Sequence, residues 1–145
     1  MNIRFDLIRI ISRMHGYVYS ISKGRIGKRL WSQNFLLLTT VGRKSGKKRT
    51  VPLAAITHGN GYILVASFGG SPVNPAWLIN IQGNPEIEFQ IGAVVKQAKA
   101  SIIETTTHCY EELWEKAVAS YKGYNDYKKA TSRHIPIVLI KPYED

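Results

Sequence analysis

The chain has 145 residues, 44% of them hydrophobic, and a net charge of +10 from twenty Lys and Arg against ten Asp and Glu. That length suits one domain with its own core; the single Cys109 excludes an internal disulfide, and His15, His58, His108 and His134 lack metal-ligand spacing, so no structural metal is expected. Neither a run of 18 apolar residues nor a cleavage site behind a compact apolar region is found, which predicts a protein of the cytosol or of a membrane's inner face, while the charge favours anionic partners such as nucleic acid, lipid head groups or phosphorylated cofactors.

Residues 3 to 21 place Ile3, Leu7, Ile10, Ile11, Met14, Tyr17, Val18 and Ile21 on one helical stripe, with Arg4, Arg9 and Arg13 outside it. Two readings of this basic amphipathic helix stand side by side: a helix packed over an open end of the domain, or an interfacial helix touching anionic lipid. Gly24 and Gly27, among Lys23, Arg25, Lys28 and Arg29, end it in a basic connector. The expected organisation is a helix over 1–22, a connector over 23–34 and a barrel domain over 35–145.

From Phe35 onward the helical period gives way to short apolar runs, predicting strands at 35–41, 48–57, 62–67, 86–91, 94–103 and 135–141. His58-Gly59-Asn60-Gly61 and Gly92-Ala93 read as hairpin turns. Six mostly antiparallel strands in so small a chain suggest a barrel, since closing the sheet hides its edges. The fold class is therefore mainly β, a small six-stranded barrel with flanking helices. Asn74 before Pro75 reads as an N-cap opening a helix to about Gln82. Thr105 to Thr107 offer a cap for another helix, with Glu111 and Glu112 in its first turn and a stripe of Leu113, Trp114, Ala117, Val118 and Tyr121.

The turn between the first two strands is GRKSGKKRT, residues 42–50, and five of its nine residues are cationic. It reads either as an anion-binding turn or as a solvated hairpin tip. The free amides opening the helix after Asn74 form a second anion device of the same sheet. Trp77 reads as core or as a flank for a flat ring. Tyr121, Tyr124 and Tyr127, three apart, fall on one side of a helical turn among Gly123, Asn125 and Lys128, too polar a setting for a plain core face, and their phenols can donate hydrogen bonds or protons.

Three stretches, LLLTTVGRKSGKKRTVPL, VASFGGSPVNPAWLINIQGNPEIEFQIG and LWEKAVASYKGYNDYKKATSRHIPIVLI, resemble the deazaflavin-dependent nitroreductase and quinone reductase family, small split β-barrel proteins of flavin-binding type that use coenzyme F420. The resemblance runs from about Phe35 to Pro142. It implies an oxidoreductase that passes a hydride from reduced F420 to a quinone, nitroaromatic or similar acceptor, and some members carry an N-terminal helix that associates with membrane. It further implies cofactor contacts at Arg43, Lys44, Ser45, Lys48 and Arg49, then at Thr50, Val51, Pro52, Leu53 and Ala54. The contacts continue at Val65, Ala66, Ser67 and Phe68, at Ala76, Trp77, Leu78, Ile79 and Asn80, and at Tyr124. The cations suit a polyanionic tail and the strand backbone suits a flat ring. Ser67, Tyr124 and Tyr127 are the candidate catalytic groups, Tyr124 first, as proton or hydrogen-bond donors.

Three positions depart from the family pattern. Ala54-Ala55 stands where a Tyr is frequent, Phe68 where many members carry Lys, and Leu78 where many carry Tyr. The first two replace polar handles with space or apolar surface and so favour a larger apolar acceptor, a lipophilic quinone, over nitroimidazoles. Two alternatives remain: a basic small barrel binding single-stranded nucleic acid, against which the aliphatic strands argue, and a relative of the same fold binding flavin mononucleotide.

Overall fold

In the computed structural model, which describes residues 3–30 and 33–144, helix α1 (Ile3–Ser22) is followed by β1 (Arg29–Leu30), β2 (Gln33–Val41), β3 (Lys48–Ala54), β4 (Ile56–His58) and β5 (Gly61–Val65). A 3₁₀ turn (Phe68–Gly70) and α2 (Ala76–Gly83) lead to the β6 (Glu86–Ile91) and β7 (Val94–Ile103) hairpin, then α3 (Tyr110–Ser120), α4 (Gly123–Ala130) and β8 (Ile137–Pro142). Every strand pairing is antiparallel.

The buried run Leu36–Leu38 makes β2 the central strand. It pairs with β3 on one edge, from Phe35↔Ala54 to Val41↔Lys48, and with β6 on the other, from Leu37↔Gln90 to Thr39↔Glu88. From β6 the pairing continues through β7, β8 and β5 to β4. Because β4 is the chain continuation of β3 across Ala55, the path returns to its start as a curled, split barrel. The described residues form eight strands rather than six. β1 adds a short pairing to Gln33 and Asn34, and the expected 48–57 strand breaks at Ala55, where the chain leaves β2 for β5. The Ala55 amide, donating to the Asn34 carbonyl at 2.9 Å, is the last bond on the β2 side.

Alternation along β5 divides the apolar residues between two cores. Leu64 points into the barrel with Leu36, Leu38, Phe89 and Ile140, and α2 closes that interior with Trp77, Leu78 and Ile81. Ile63 and Val65 point outward, under Leu113, Trp114 and Ala117 of α3. Helix α3 starts at Tyr110 with Cys109 as its cap; Thr107 instead belongs to the preceding turn, its carbonyl accepting the Tyr110 amide at 3.0 Å. Glu111 and Glu112 do occupy the first turn, where the helix dipole favours them.

Helix α1 packs on the barrel with the face opposite to its apolar stripe. Gly16 lies against Pro52 of β3, where an added Cβ would stand 3.3 Å from the proline Cδ, and Tyr19 is fully buried. Phe5 meets Phe68 with ring centroids 5.6 Å apart. The eight stripe residues are all exposed, from 39% at Val18 to 79% at Ile3. None of the described helices is long and apolar enough to cross a membrane.

Candidate active site

The ring of strands opens beside β3. Strands β4 and β5 pair at Ile56↔Ile63, Thr57↔Tyr62 and His58↔Gly61, but before Ala55 the chain follows β2 alone, so the second edge of β3 has no strand partner among the described residues. Strand β5 runs on into Ala66, Ser67 and Phe68. Thr50–Ala54 and Val65–Phe68, two separate stretches in the sequence, thereby border one wedge with its apex at Ala55. The side chains of Val51 and Leu53 pack on the barrel core and Pro52 lies beneath α1, so β3 offers the wedge its backbone edge, whose unpaired N–H and C=O groups suit a flat heterocycle.

At the start of β3 the basic turn is held by its own backbone. The Gly42 amide donates to the Lys47 carbonyl at 2.7 Å, and the Gly46 amide to the Gly42 carbonyl at 2.9 Å, with Gly46 in the left-handed region at φ +68°. A side chain at Gly42 would collide with Ser45, whose Oγ stands 2.6 Å from that Cβ position; Ser45 Oγ itself accepts the Lys47 amide at 3.2 Å. Arg43, Lys44, Lys47, Lys48 and Arg49 are all exposed, and among the described residues none has a carboxylate within 4.0 Å. The arrangement concentrates positive charge that the protein itself leaves uncompensated.

Helix α2 meets this turn through its C-terminal half, not its N-terminus. Asn80, 9% exposed, accepts the Arg43 amide through Oδ1 at 3.1 Å and donates from Nδ2 to Thr40 Oγ1 at 3.0 Å. The two expected anion devices therefore lie at opposite ends of α2 and do not converge on one charge. Pro75, rather than Asn74, is the cap of α2 and gives its first turn no side-chain cap bond. Of the α2 candidates, Trp77 and Leu78 are buried in the barrel interior, Ile79 is half-buried, and Ala76 is exposed.

The loop from Ala66 to Asn74 carries Ser67 and Phe68. Phe68, Gly69 and Gly70 take consecutive positive φ angles of 43°, 61° and 82°, and the two glycines allow what Phe68 tolerates only with strain. One side chain without any motif around it holds this loop. Arg133, from the segment before β8, donates from Nε to the Ser71 carbonyl at 2.8 Å and from Nη2 to the carbonyls of Ala66 (3.2 Å) and Ser67 (2.8 Å). Its Nη1 reaches Asn74 Oδ1 at 3.0 Å and the His134 carbonyl at 3.3 Å. Burial lowers the pKa of this guanidinium from its ordinary value. A lone Arg in TSRHIP carries no sequence signal that reveals the role.

Between this loop and α1 is a cleft of about 400 Å³, whose walls include Phe5, Arg9, Phe68, Ser71 and Val73. The Arg9 guanidinium lies 5.4 Å from the Phe68 ring centroid and pairs with Asp6 at 3.3 Å.

The three tyrosines divide between settings. Tyr121 ends α3, while Tyr124 and Tyr127 belong to α4. Tyr124 is 5% exposed in the second core, its ring edge-on to Tyr121 at 5.2 Å, so the expectation that polar neighbours keep this position out of a core is overturned. Burial, followed by the neighbouring Tyr127 and Tyr121, pushes its phenol well above the ordinary value. Tyr127 is half-buried beside Gly70, and its hydroxyl lies 3.3 Å from that of Tyr121; burial first, then that hydrogen bond, raise its pKa to about 12.

Residues 11–142 match the profile of the F420H(2)-dependent quinone reductase family. The chain belongs to that family. It is an F420-dependent oxidoreductase of the quinone reductase type, and coenzyme F420 takes the place that flavin mononucleotide and nucleic acid held as alternatives. The F420H(2)-dependent quinone reductase Rv1261c of Mycobacterium tuberculosis is 34% identical over 130 residues, covering 88% of this chain and 87% of its own. The solved F420-H2 dependent reductase FDR-A is 38% identical with a TM-score of 0.65 over 74% of this chain and 93% of its own. A pyridoxamine 5'-phosphate oxidase-like protein of Listeria innocua, 14% identical with a TM-score of 0.54 over 90% of this chain and 94% of its own, shares the split-barrel fold. The residues present fit the family's cofactor: uncompensated cations suit its anionic tail, and the open β3 edge suits its ring.

Proposed function

We propose that this F420-dependent quinone reductase holds the deazaflavin ring in the wedge between Thr50–Ala54 and Val65–Phe68. In this reading the anionic tail lies along Arg43, Lys44, Ser45, Lys48 and Arg49. Reduced coenzyme F420, when bound, supplies the hydride. Backbone groups on the open edge of β3 orient the ring, and Asn80 fixes the turn that grips the tail. Trp77 and Leu78 contribute by closing the barrel end behind the turn, with Ala76 and Ile79 beside them on the more exposed side of α2. The observation that carries the reading is the placement of exposed, unpaired cations at the mouth of an unpaired strand edge.

The acceptor we assign is a lipophilic quinone approaching over Phe68, where an aromatic ring and the small Ala54 leave room for a flat apolar group. Tyr127 is the first candidate to place a hydrogen bond on the quinone oxygen, because the residue is only half-buried and its hydroxyl is already held by Tyr121. Ser67 and Tyr124 are the others, with Tyr124 the weaker donor for its depth in the core. The exposed stripe of α1, with Arg4, Arg9 and Arg13 beside it, is proposed to rest on an anionic membrane surface and bring the site to the quinone.

Stopped-flow oxidation of F420H2 by a short-chain quinone tests the assignment. Tyr127→Phe is expected to slow turnover about tenfold, the loss of about 1.4 kcal/mol of transition-state stabilisation, with little change in cofactor affinity. A wild-type rate in Tyr127→Phe removes it from the mechanism.

A further inference from the structure

The five acceptors around Arg133 account for all five donors of its guanidinium fork. Three of them, the carbonyls of Ala66, Ser67 and Ser71, belong to the loop that borders the wedge, and Asn74 Oδ1 stands where that loop enters α2. Among the described residues no carboxylate lies within 4.0 Å of Arg133, so carbonyl dipoles alone compensate its charge. The arginine is itself held from behind. Its own segment is fixed by the Tyr110 hydroxyl, which donates to the Ile135 carbonyl at 2.6 Å, and by the Ala66 amide, which donates to the Pro136 carbonyl at 3.0 Å.

An ordinary structural arginine would pair with an acid or cover apolar surface. Here the fork reaches both ends of a loop whose middle residues, Phe68 to Gly70, occupy backbone conformations that do not hold themselves. Among the described residues the loop's own bonds are few: Gly70 amide to Ser67 carbonyl at 2.9 Å, Ser71 amide to Phe68 carbonyl at 3.0 Å and Val73 amide to Ser71 Oγ at 3.2 Å, with Arg4 of α1 adding one from outside to the Gly69 carbonyl at 3.4 Å.

We infer that Arg133 is a positioning residue for the reaction: it fixes the 66–74 loop, and with it Ser67 and Phe68, against the deazaflavin wedge. The inference rests on the assignment of that wedge to the cofactor. It follows that the loop's geometry depends on a planar, five-donor fork more than on positive charge. Lys supplies a compact ammonium that cannot bridge Ala66, Ser71 and Asn74 at once.

The test compares wild type, Arg133→Lys and Asn74→Ala. Amide hydrogen exchange is read on the free protein, and F420 affinity by fluorescence quenching. In Arg133→Lys the Gly70 and Ser71 amides are expected to exchange at least about tenfold faster, while barrel amides of β2 and β7 keep their rates. Quinone turnover should fall by about tenfold, with a smaller change in the KM for quinone. Asn74→Ala, which removes one acceptor of five, should shift the same amides in the same direction by less, and it serves if the Lys variant fails to fold. The inference is overturned if Gly70 and Ser71 keep wild-type exchange. It is equally overturned if exchange rises uniformly along the chain, which would make Arg133 a contributor to stability alone. Because exchange is read without cofactor, faster Gly70 and Ser71 exchange in Arg133→Lys with unchanged F420 affinity and turnover would count against the wedge assignment, not against the loop clamp.

Discussion

The Tyr19 hydroxyl, on α1, accepts the amide proton of Gly92 at 2.8 Å, in the turn that joins β6 to β7. The same oxygen lies 3.1 Å from the Phe35 carbonyl and 3.3 Å from the Gln90 carbonyl, and its single proton serves one of them at a time. A helix otherwise covered by exposed apolar residues is thereby fastened to the sheet at a side chain with no solvent exposure. Tyr19→Phe keeps the ring and removes the acceptor, leaving a half-buried amide unpaired. The expected cost is about 1–3 kcal/mol in urea unfolding. A loss below about 0.5 kcal/mol would mean that α1 docks independently of this bond.

Replacing Arg43, Lys44, Lys48 and Arg49 by Gln together should weaken F420 binding by at least about a hundredfold. Each charge-assisted hydrogen bond to an anion contributes about 1.5–3 kcal/mol. Stability should barely change, since the four side chains are exposed and have no ion-pair partner among the described residues. Wild-type affinity should also decline with added salt, and the variant's much less. Equal affinities for the two proteins in fluorescence titration would place the tail elsewhere.

Much of this site is legible in the amino-acid order itself. Gly42, Gly46 and the cations between them sit where a strand-turn-strand pattern puts them, because backbone angle and charge are local properties. The barrel follows from alternation, and the split at Ala55 is hidden because Ala54-Ala55 continues an apolar run while the chain changes partners. Long-range relations leave no such local trace. The stripe on α1 obeys helical periodicity, yet the face that packs is the less regular one of Phe5, Ile8, Gly16 and Tyr19, chosen by a glycine-to-Pro52 approach and one hydroxyl. Asn74 and Pro75 look like a cap and first residue, but the carboxamide is taken by Arg133 from 59 residues away. Tyr124 has polar neighbours along the chain and apolar neighbours in space.

Alkaline pH should destabilise the fold through its buried phenols. The Tyr110 and Tyr127 pKa values are both raised to about 12, chiefly by burial, and that of Tyr124 is also raised. A phenol held above its unfolded value of about 10 binds its proton more tightly in the native state. Its contribution is complete below about pH 10 and is lost as pH rises toward 12. Unfolding free energy should be level from neutral pH to about 9.5 and then fall, with a shallower fall in Tyr127→Phe. A fall of unchanged steepness in that variant would assign the linkage to other groups.

The exposed face of α1 yields the last prediction. Leu7, Ile10, Met14 and Ile21 are 54%, 55%, 65% and 65% exposed, which is unusual for large apolar side chains gathered on one surface. Because the docked face carries Tyr19, removing the whole helix would damage the fold and leave membrane binding unread. Four Gln substitutions at these positions spare the contacts that Phe5, Ile8, Gly16 and Tyr19 make with the rest of the fold, and the cooperative melt should survive them. Shallow insertion of each apolar side chain contributes about 1 kcal/mol, and each arginine near an anionic surface about as much again. Wild type should therefore sediment with vesicles rich in phosphatidylglycerol at low salt, release as salt is raised, and ignore neutral vesicles. The four-Gln variant should stay in the supernatant while oxidising F420H2 with a water-soluble quinone at the wild-type rate. Its turnover should lag only when the quinone is confined to the bilayer. If wild type ignores anionic vesicles and instead sediments as a dimer that the four substitutions dissociate, the face belongs to a second copy of the chain and membrane delivery is wrong.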